Sequence, residues 1–481
     1  MNGLLSGGLG RVAAVTLLIG AVGVSCSNRQ DSGSTVASTT EVTNSEVSTD
    51  STSPAPTSTE APKITFGDLE SPCGPGDATI AEGENGGDKI VLATASDRGA
   101  EIAPGLTKEM YDAAVAFASW CNEQGGIAGL PIDVLDADGK LFMVPNAMEK
   151  VCAEAFAMVG GGWAFDDQEF PEFHDCGMID IAAYTVSTAK AMSNGMAQPL
   201  PNPVDQRNVG WFVWAKETNP QAMQRFATLY PEIPSTKVVE SAYVEELEKL
   251  DGVEVVDRIG YNAAGEASWA PFVQRLKDAN ATAIAFVGSP EQFMPFMGAV
   301  RELGYEPGLV LQEANNYSEQ LLATDYAEGV LVRSNIVPFE EADRVKAIAD
   351  YLSIMKKYNP DGKVASLGVT TMSSYLLFAT AANSCLASNG NVLERECVLQ
   401  AVADIKGWTG GGLHAPSDPG TNTPSACTLI LQIKNGAFTR LFPELGGADD
   451  DGNGFACDSS WVMAMTGDYG DVNAGRDPSR D

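Results

Sequence analysis

Residues 120–138, "WCNEQGGIAGLPIDVLDAD", carry three local instructions in nineteen residues. Trp120 and Cys121 end an apolar stripe at helical spacing, Gly125-Gly126 stops the helix, and after Gly129 an alternating, strand-like run begins at once. Upstream, "KIVLATA" (89–95) is a short β-rich run. The segment between contains Met110, Ala113, Ala114, Phe117, Trp120 and Cys121 at i, i+3, i+4 spacing. Thr107 is the expected N-cap of this helix, and Gly125 or Gly126 its left-handed C-cap, with Ile127 as the hydrophobic contact. Pro131 is tolerated at the start of the next strand. The stretch therefore reads as the joint of a β-α-β unit.

The alternation continues outward from that joint. A helix is expected at about 146–159, a strand in "MIDIAAY" (178–184) and a Pro/Asn-rich crossing at 198–207. A second series then reads "GWFVWA" (210–215) and "STKVVESA" (235–242) as strands, with a helix at about 218–230 between them. Strand 253–261, helix 268–280, strand 282–288, helix 291–304 and strand 308–314 follow. Strands separated by helix-length segments imply parallel sheets with right-handed crossovers. The expected fold class is α/β, with two Rossmann-like lobes, parallel sheets, hinge crossovers and a ligand cleft between the lobes. Residues 329–339 read as a crossing strand, with helices at about 340–357, 367–388 and 392–403. Residues 427–441 read as a hairpin turning at Asn435-Gly436. The expected boundaries place lobe 1 at 88–205 and 335–405 and lobe 2 at 206–334 and 406–445. An extension at 64–87 precedes them and an acidic tail at 446–481 follows.

Composition bounds the chemistry. The 481 residues, 44% hydrophobic, suffice for two or three packed domains. Sixty-four acidic against 30 basic residues give a formal charge of −34, a sign that repels nucleic acid and anionic headgroups. Residues 1–26 have the form of an export signal, with Arg11 before the apolar "VAAVTLLIGAVGV" (12–24). The end of that signal, "VSC" at 24–26, resembles a bacterial lipobox in which Cys26 becomes the lipidated N-terminus, although Gly23 departs from the usual pattern. Residues 27–63 are Ser/Thr/Pro-rich and read as a disordered tether. An extracytoplasmic, membrane-anchored lipoprotein is expected, touching the membrane through its lipid alone.

Eight cysteines follow Cys26, an even number that in an exported chain argues for disulfides. About a hundred pairings are open. A preference for short loops gives Cys152–Cys176 and Cys385–Cys397, leaving Cys73–Cys121 and Cys427–Cys457. Two histidines and no CxxC argue against zinc. Without GxSxG, HExxH or a GxxxxGK[ST] loop, an enzyme is not expected. "ADDDGNGFACD" (448–458) resembles a short extracellular calcium loop of the excalibur type, through Asp449, Asp451, Asn453 and Asp458. Ser460 falls where a bidentate Glu belongs. No cofactor is expected, with calcium there as the one candidate.

"IVLATASD", "WCNEQGGIAGLPIDVLDAD", "CAEAFAMVGGGWAFDD" and "DIAAYTVST" occur in the order of type I periplasmic binding proteins. The chain resembles the branched-chain amino acid branch of ABC-transporter substrate-binding lipoproteins, over about residues 88–445. The resemblance implies a protein that captures a small solute, an amino acid or a related amide or aromatic compound, and delivers it to an ABC permease. A ligand-sensing receptor subunit and a calcium-dependent cell-surface interaction protein are the alternatives. It also implies that Asn122, Gly125, Gly126 and Gly129 are architectural. Ligands of open parallel sheets bind beyond the carboxyl ends of the strands, and that rule selects the same loops as the family does. The candidate contacts are Ser96, Asp97, Trp163, Ala164, Phe165, Tyr184 and Thr185 in lobe 1, and Ser289, Glu313, Asn315 and Tyr317 in lobe 2. By the resemblance, Tyr184 and Thr185 grip a ligand carboxylate and Glu313 meets its α-ammonium. Trp163 and Phe165 stand where relatives carry small hydroxyl residues.

Overall fold

The computed structural model describes residues 63–480. The export signal, Cys26 and all of the tether but Lys63 lie outside the described residues.

The opening stretch folds as the joint of a β-α-β unit. Strand β1 (Ile90–Ser96) leads to helix α1 (Lys108–Glu123) and then to β2 (Ile132–Asp138), which pairs parallel to β1. Gly125 and Gly126 have φ of 110° and 79°, and the Gly126 N–H reaches back to Cys121 O at 3.0 Å. This is left-handed backbone that a side chain strains. Gly129, φ 92°, is required twice over, since a Cβ there would stand 2.2 Å from Gly76 O. Asn122 fastens the turn with its amide, accepting from Ile132 N–H at 2.7 Å and donating to Ile132 O at 2.8 Å. Thr107, expected to cap α1, has φ 54°; its hydroxyl instead accepts the Asp97 N–H at 3.0 Å.

The first lobe continues through α2 (Val144–Glu154), β3 (Ala157–Val159), β4 (Asp180–Ile181), the short helix α3 (Thr188–Ala191) and β5 (Met196–Ala197). Its sheet is fully parallel, in the order β2-β1-β3-β4-β5. Period-two alternation splits β1 between two cores. Ile90 and Leu92 join Phe117 and Cys121 on one face, while Ala93 and Ala95 join Val144 and Val151 on the other.

After β5 the chain passes through β6 (Gln206–Asn208) into the second lobe. That lobe consists of α4 (Gly210–Thr218), β7 (Arg225–Pro231), α5 (Pro234–Glu248), β8 (Glu254–Tyr261), α6 (Ala270–Asp278), β9 (Ala283–Phe286), α7 (Pro290–Glu302), β10 (Leu309–Gln312) and β11 (Leu331–Ser334). Two expected strands here are helices. "GWFVWA" starts α4, where Trp211 and Phe212 bury against Phe226 and Tyr243, and "STKVVESA" lies inside α5. Where a helix is expected at 218–230, a single 3₁₀ turn at 222–224 leads into strand β7.

The chain then returns to the first lobe. Helices α8 (Lys346–Tyr358) and α9 (Ser366–Ser388) pack on α1, and α10 (Arg395–Asp404) packs on α9 and β5. It crosses once more to the hairpin β12 (Cys427–Lys434) and β13 (Ala437–Phe442). The second sheet runs β8-β7-β9-β10-β11-β12-β13, parallel as far as β11 and antiparallel beyond. Asn435 and Gly436, φ 54° and 71°, make the hairpin turn. Residues 406–421, assigned from sequence to lobe 2, bond the first lobe and the N-terminal extension instead: Trp408 Nε1 donates to Ser373 Oγ of α9 at 2.9 Å, and Asp68 N–H of the extension to Gly411 O at 3.1 Å. A helix-buried Ser373 is available to Trp408 and His414 only when this Gly-rich loop folds back on α9.

Among the described residues there are four disulfides, Cys73–Cys121, Cys152–Cys176, Cys385–Cys397 and Cys427–Cys457. The last ties β12 to β14 (Ala456–Cys457), and the tail then pairs β15 (Val462–Ala464) antiparallel with β6. Among the described residues no helix is long and apolar enough to cross a membrane.

Candidate functional site

Both parallel sheets point the carboxyl ends of their strands at one cavity of about 440 Å³ between the lobes. From the first lobe it is lined by the loops after β1 (Ile102, Leu106), β2 (Leu141, Phe142), β3 (Ala164, Phe165) and β4 (Tyr184, Thr185). The second lobe contributes Ile233, Ser289, Glu313 and Asn315 from the loops after β7, β9 and β10, Arg333 from β11 itself and Asn335 from the loop after it. The crossing segments supply Gln198, Asn202 and Arg207.

Acids in the first lobe shape these loops by accepting backbone N–H groups. Asp97 accepts from Leu141 at 2.8 Å and Ala164 at 2.7 Å, tying the loops after β2 and β3 to β1. Asp166 accepts from Val186 at 2.7 Å and Ser187 at 2.9 Å, which holds the Tyr184–Thr185 loop. Burial raises both carboxyls, that of Asp166 to about 6, and their amide bonds oppose the shift. Behind them Lys190 lies between Glu169 and Asp180 at 2.6 Å each, all three almost wholly buried. Burial alone would lower the Lys190 ammonium, but the two acids hold it above its ordinary value. Burial raises the Glu169 carboxyl to about 8, with the neighbouring Asp180 adding to the rise and Lys190 opposing it.

Seven of the expected contacts line the cavity: Ala164, Phe165, Tyr184, Thr185, Ser289, Glu313 and Asn315. Four do not. Ser96 is fully buried and Asp97 binds backbone, as above. Trp163 is buried beside Gly139 and donates to Ala137 O at 2.9 Å, so its indole is spent on packing. Tyr317 turns from the cavity, stacking on Phe339 at 5.0 Å and hydrogen-bonding Glu340.

Sequence reasoning missed the charged partners. Arg333 donates to Glu313 Oε2 from Nη2 at 2.8 Å and Nε at 3.1 Å, and its guanidinium sits 5.1 Å from the centre of the Trp211 ring. Arg207 donates to Glu246 Oε1 at 3.1 Å and Asn202 Oδ1 at 2.8 Å. Burial raises the Glu246 carboxyl. An arginine inside the apolar run "GVLVRSNIV" was the available signal, since a charge in a buried strand needs a partner. Phe142 had no such signal. It is 61% exposed, Ile102 55%, and Phe142 leans on Phe165 at 5.6 Å, which makes the first-lobe rim apolar.

At the proposed calcium loop the oxygens hold backbone. Asp451 Oδ1 accepts from Asn453 at 2.8 Å and Phe455 at 3.1 Å, and Asp458 Oδ1 accepts from Ser460 at 2.8 Å. Asp450, rather than Asp449, organises the turn, accepting from Gly446, Gly452 and Gly454. The cluster of Cys427, Asp451 and Cys457 has metal-ligand types, but its two sulfurs are joined to each other.

Residues 91–437 match the family described as periplasmic binding protein. No curated protein sequence matches. Among solved structures, a fatty acid ABC transporter substrate-binding protein from Thermomonospora curvata is similar at 19% identity and TM-score 0.62, over 77% of this chain and 94% of that one. A leucine binding protein from Thermotoga maritima is similar at 12% identity and TM-score 0.61, over 73% and 97%. A solute binding protein of an ABC transporter from Rhodopseudomonas palustris, in complex with 3,4-dihydroxy benzoic acid, is similar at 17% identity and TM-score 0.60, over 74% and 96%.

Proposed function

The chain belongs to the periplasmic binding protein family, and from that premise we propose that it captures a small, largely apolar solute in the interlobe cavity and hands it to an ABC permease. The observation that carries the reading is the cavity itself: about 440 Å³, walled by strand-end loops of both lobes, so a solute held there joins them. The apolar class follows from Ile102, Leu106, Phe142, Phe165, Ile233 and Val239 on its walls. Burying each such contact favours binding by about 25 cal/mol per Å² of apolar surface. The relatives are described as binding a fatty acid, leucine and a dihydroxybenzoic acid, solutes that share an apolar body with a carboxylate. Export and lipidation at Cys26, with residues 27–63 as the tether, would hold the receptor at the outer side of the membrane beside its permease.

Native mass spectrometry of freshly purified protein, followed by calorimetry with aliphatic and aromatic acids, tests this. Saturable binding of one solute per chain, with the solute recovered unchanged, is expected. Chemical conversion of the solute, or no bound solute and no heat with any acid, would overturn the reading.

A further inference from the structure

Resting on that reading, we propose that Arg333 sets the charge the cavity accepts: it receives the carboxylate of an apolar acid and withdraws Glu313 from service as an ammonium acceptor. Glu313 is the one acid among the described residues lining the cavity, and its two hydrogen bonds, at 2.8 and 3.1 Å, both come from Arg333. Both bonds fall on Oε2 and leave Oε1 without a partner, yet an ammonium that reached Oε1 would lie beside the guanidinium already held by the same carboxylate, whose charge opposes it. Arg207 lines the same cavity as a second cation, its own acid Glu246 lying fully buried behind it. Each guanidinium has five N–H donors. Arg333 places two on Glu313, with a further 3.5 Å contact to Asn208 O, and Arg207 places one each on Glu246 and Asn202. Five of the ten guanidinium N–H groups are thereby used, and the five others face two unpartnered carboxylate oxygens, Glu313 Oε1 and Glu246 Oε2, so donors outnumber these acceptors. A carboxylate supplies acceptors in the fork geometry that arginine matches. Trp211 beneath the guanidinium fixes its plane.

Matched probes separate the charges: 4-methylpentanoate, leucine and 3-methylbutylamine share one alkyl body, and 3-phenylpropanoate, phenylalanine and 2-phenylethylamine one aryl body. In calorimetry the acid of a set is expected to bind best and the amine not at all. Arg333→Gln should weaken the acid about ten- to a hundredfold, Arg333→Lys should recover part of it, and Glu313→Gln, which removes the competing carboxylate from Arg333, should tighten it. Preference for the amine or zwitterion, or an Arg333→Gln protein of unchanged melting temperature and unchanged acid affinity, would overturn the assignment while leaving solute capture intact. Should no probe bind, the charge of the solute seen by native mass spectrometry decides: an anion lost in Arg333→Gln supports the assignment, and a cation overturns it.

A different set of contacts points to a second device. Residues 462–480 lie outside the family match and strap the two lobes together along one flank of the cavity. The strap leaves the second lobe at the Cys427–Cys457 bond and adds β15 to the crossing strand β6. It bonds α5 of the second lobe through Glu245, which accepts from Thr466 N and Gly467 N at 2.8 Å each and from the Tyr469 hydroxyl. It then bonds the first lobe. Thr188 donates to Tyr469 O, His174 Nε2 lies 2.8 Å from Gly475 O, Asn194 exchanges two bonds with Asp477 at 2.7 and 2.9 Å, and Arg480 donates to Met178 O at 2.7 Å. Tyr469 and Met465 form a small core with Ala191 of the first lobe and Ala242 of the second. Opening the lobes on this flank must break that core, so the strap biases the receptor toward closure.

The test uses spin labels at Glu101→Cys and Ala264→Cys, on opposite rims, and the distance between them in the solute-free protein. Removal of residues 465–481 is expected to lengthen and broaden the distance distribution, and Tyr469→Ala to do so partly. Should the truncated protein misfold, Tyr469→Ala alone decides. Unchanged distributions in a folded variant would overturn the strap.

Discussion

His414 and Asn122 show how single residues here are decided by what surrounds them. His414 is 2% exposed, with Nε2 at 2.7 Å from Ser373 Oγ and Nδ1 at 2.8 Å from Ala415 O. Burial lowers its pKa from 6.5 to about 4. The unfolded chain takes up this proton near pH 6.5 and the folded one only near 4, so its contribution is intact above 6.5 and is lost as pH falls between those values. The loss is on the order of 3 kcal/mol. Raised carboxyls such as Asp166 act with the opposite sign, so the measurement is a difference: denaturant titrations of wild type and His414→Asn at pH 7 and 4.5. The variant is expected to be the less stable at pH 7 and to lose less on acidification. Asn122→Ala leaves the N–H and C=O of Ile132 without their partner. It should cost about 1–3 kcal/mol, with solute affinity unchanged in calorimetry, because Asn122 is remote from the cavity lining.

Among elements, α1 and its double-glycine exit were legible because each instruction is local: period, stop, turn and alternation within nineteen residues. The start of the second lobe was not. "GWFVWA" has the aromatic and β-branched content of a strand, and α5 carries Val238-Val239 at its middle. The helices win there because Trp211, Phe212, Tyr243 and Leu247 share one buried cluster against the sheet, a tertiary contact that outweighs intrinsic propensity. The N-terminal extension is held to α1 by Cys73–Cys121, across 48 residues. A Cys73→Ser/Cys121→Ser protein should lose about 3–4 kcal/mol of stability. Hydrogen exchange should rise first in residues 63–87, whose strands are two residues long.

For the whole molecule, segments that pass between the lobes can act as hinges, and the expectation is that solute binding closes the lobes. Adding the solute found by native mass spectrometry should shorten the Glu101–Ala264 label distance and narrow its distribution; a solute that binds without moving it would argue for a preformed, rigid pocket. The sequence by itself determined the α/β class, two parallel sheets, the chain's return to a lobe already begun and the loops that meet in the cavity, because period and turn chemistry are properties of neighbours in the chain. Only the tertiary structure decided that Arg333 neutralises Glu313, that Trp163 and Tyr317 are packing residues, that residues 406–421 belong with the first lobe and that the acidic tail joins both. Those outcomes depend on partners between 20 and more than 300 positions away, and a side chain's charge or burial is set by the atoms around it, which no local pattern records.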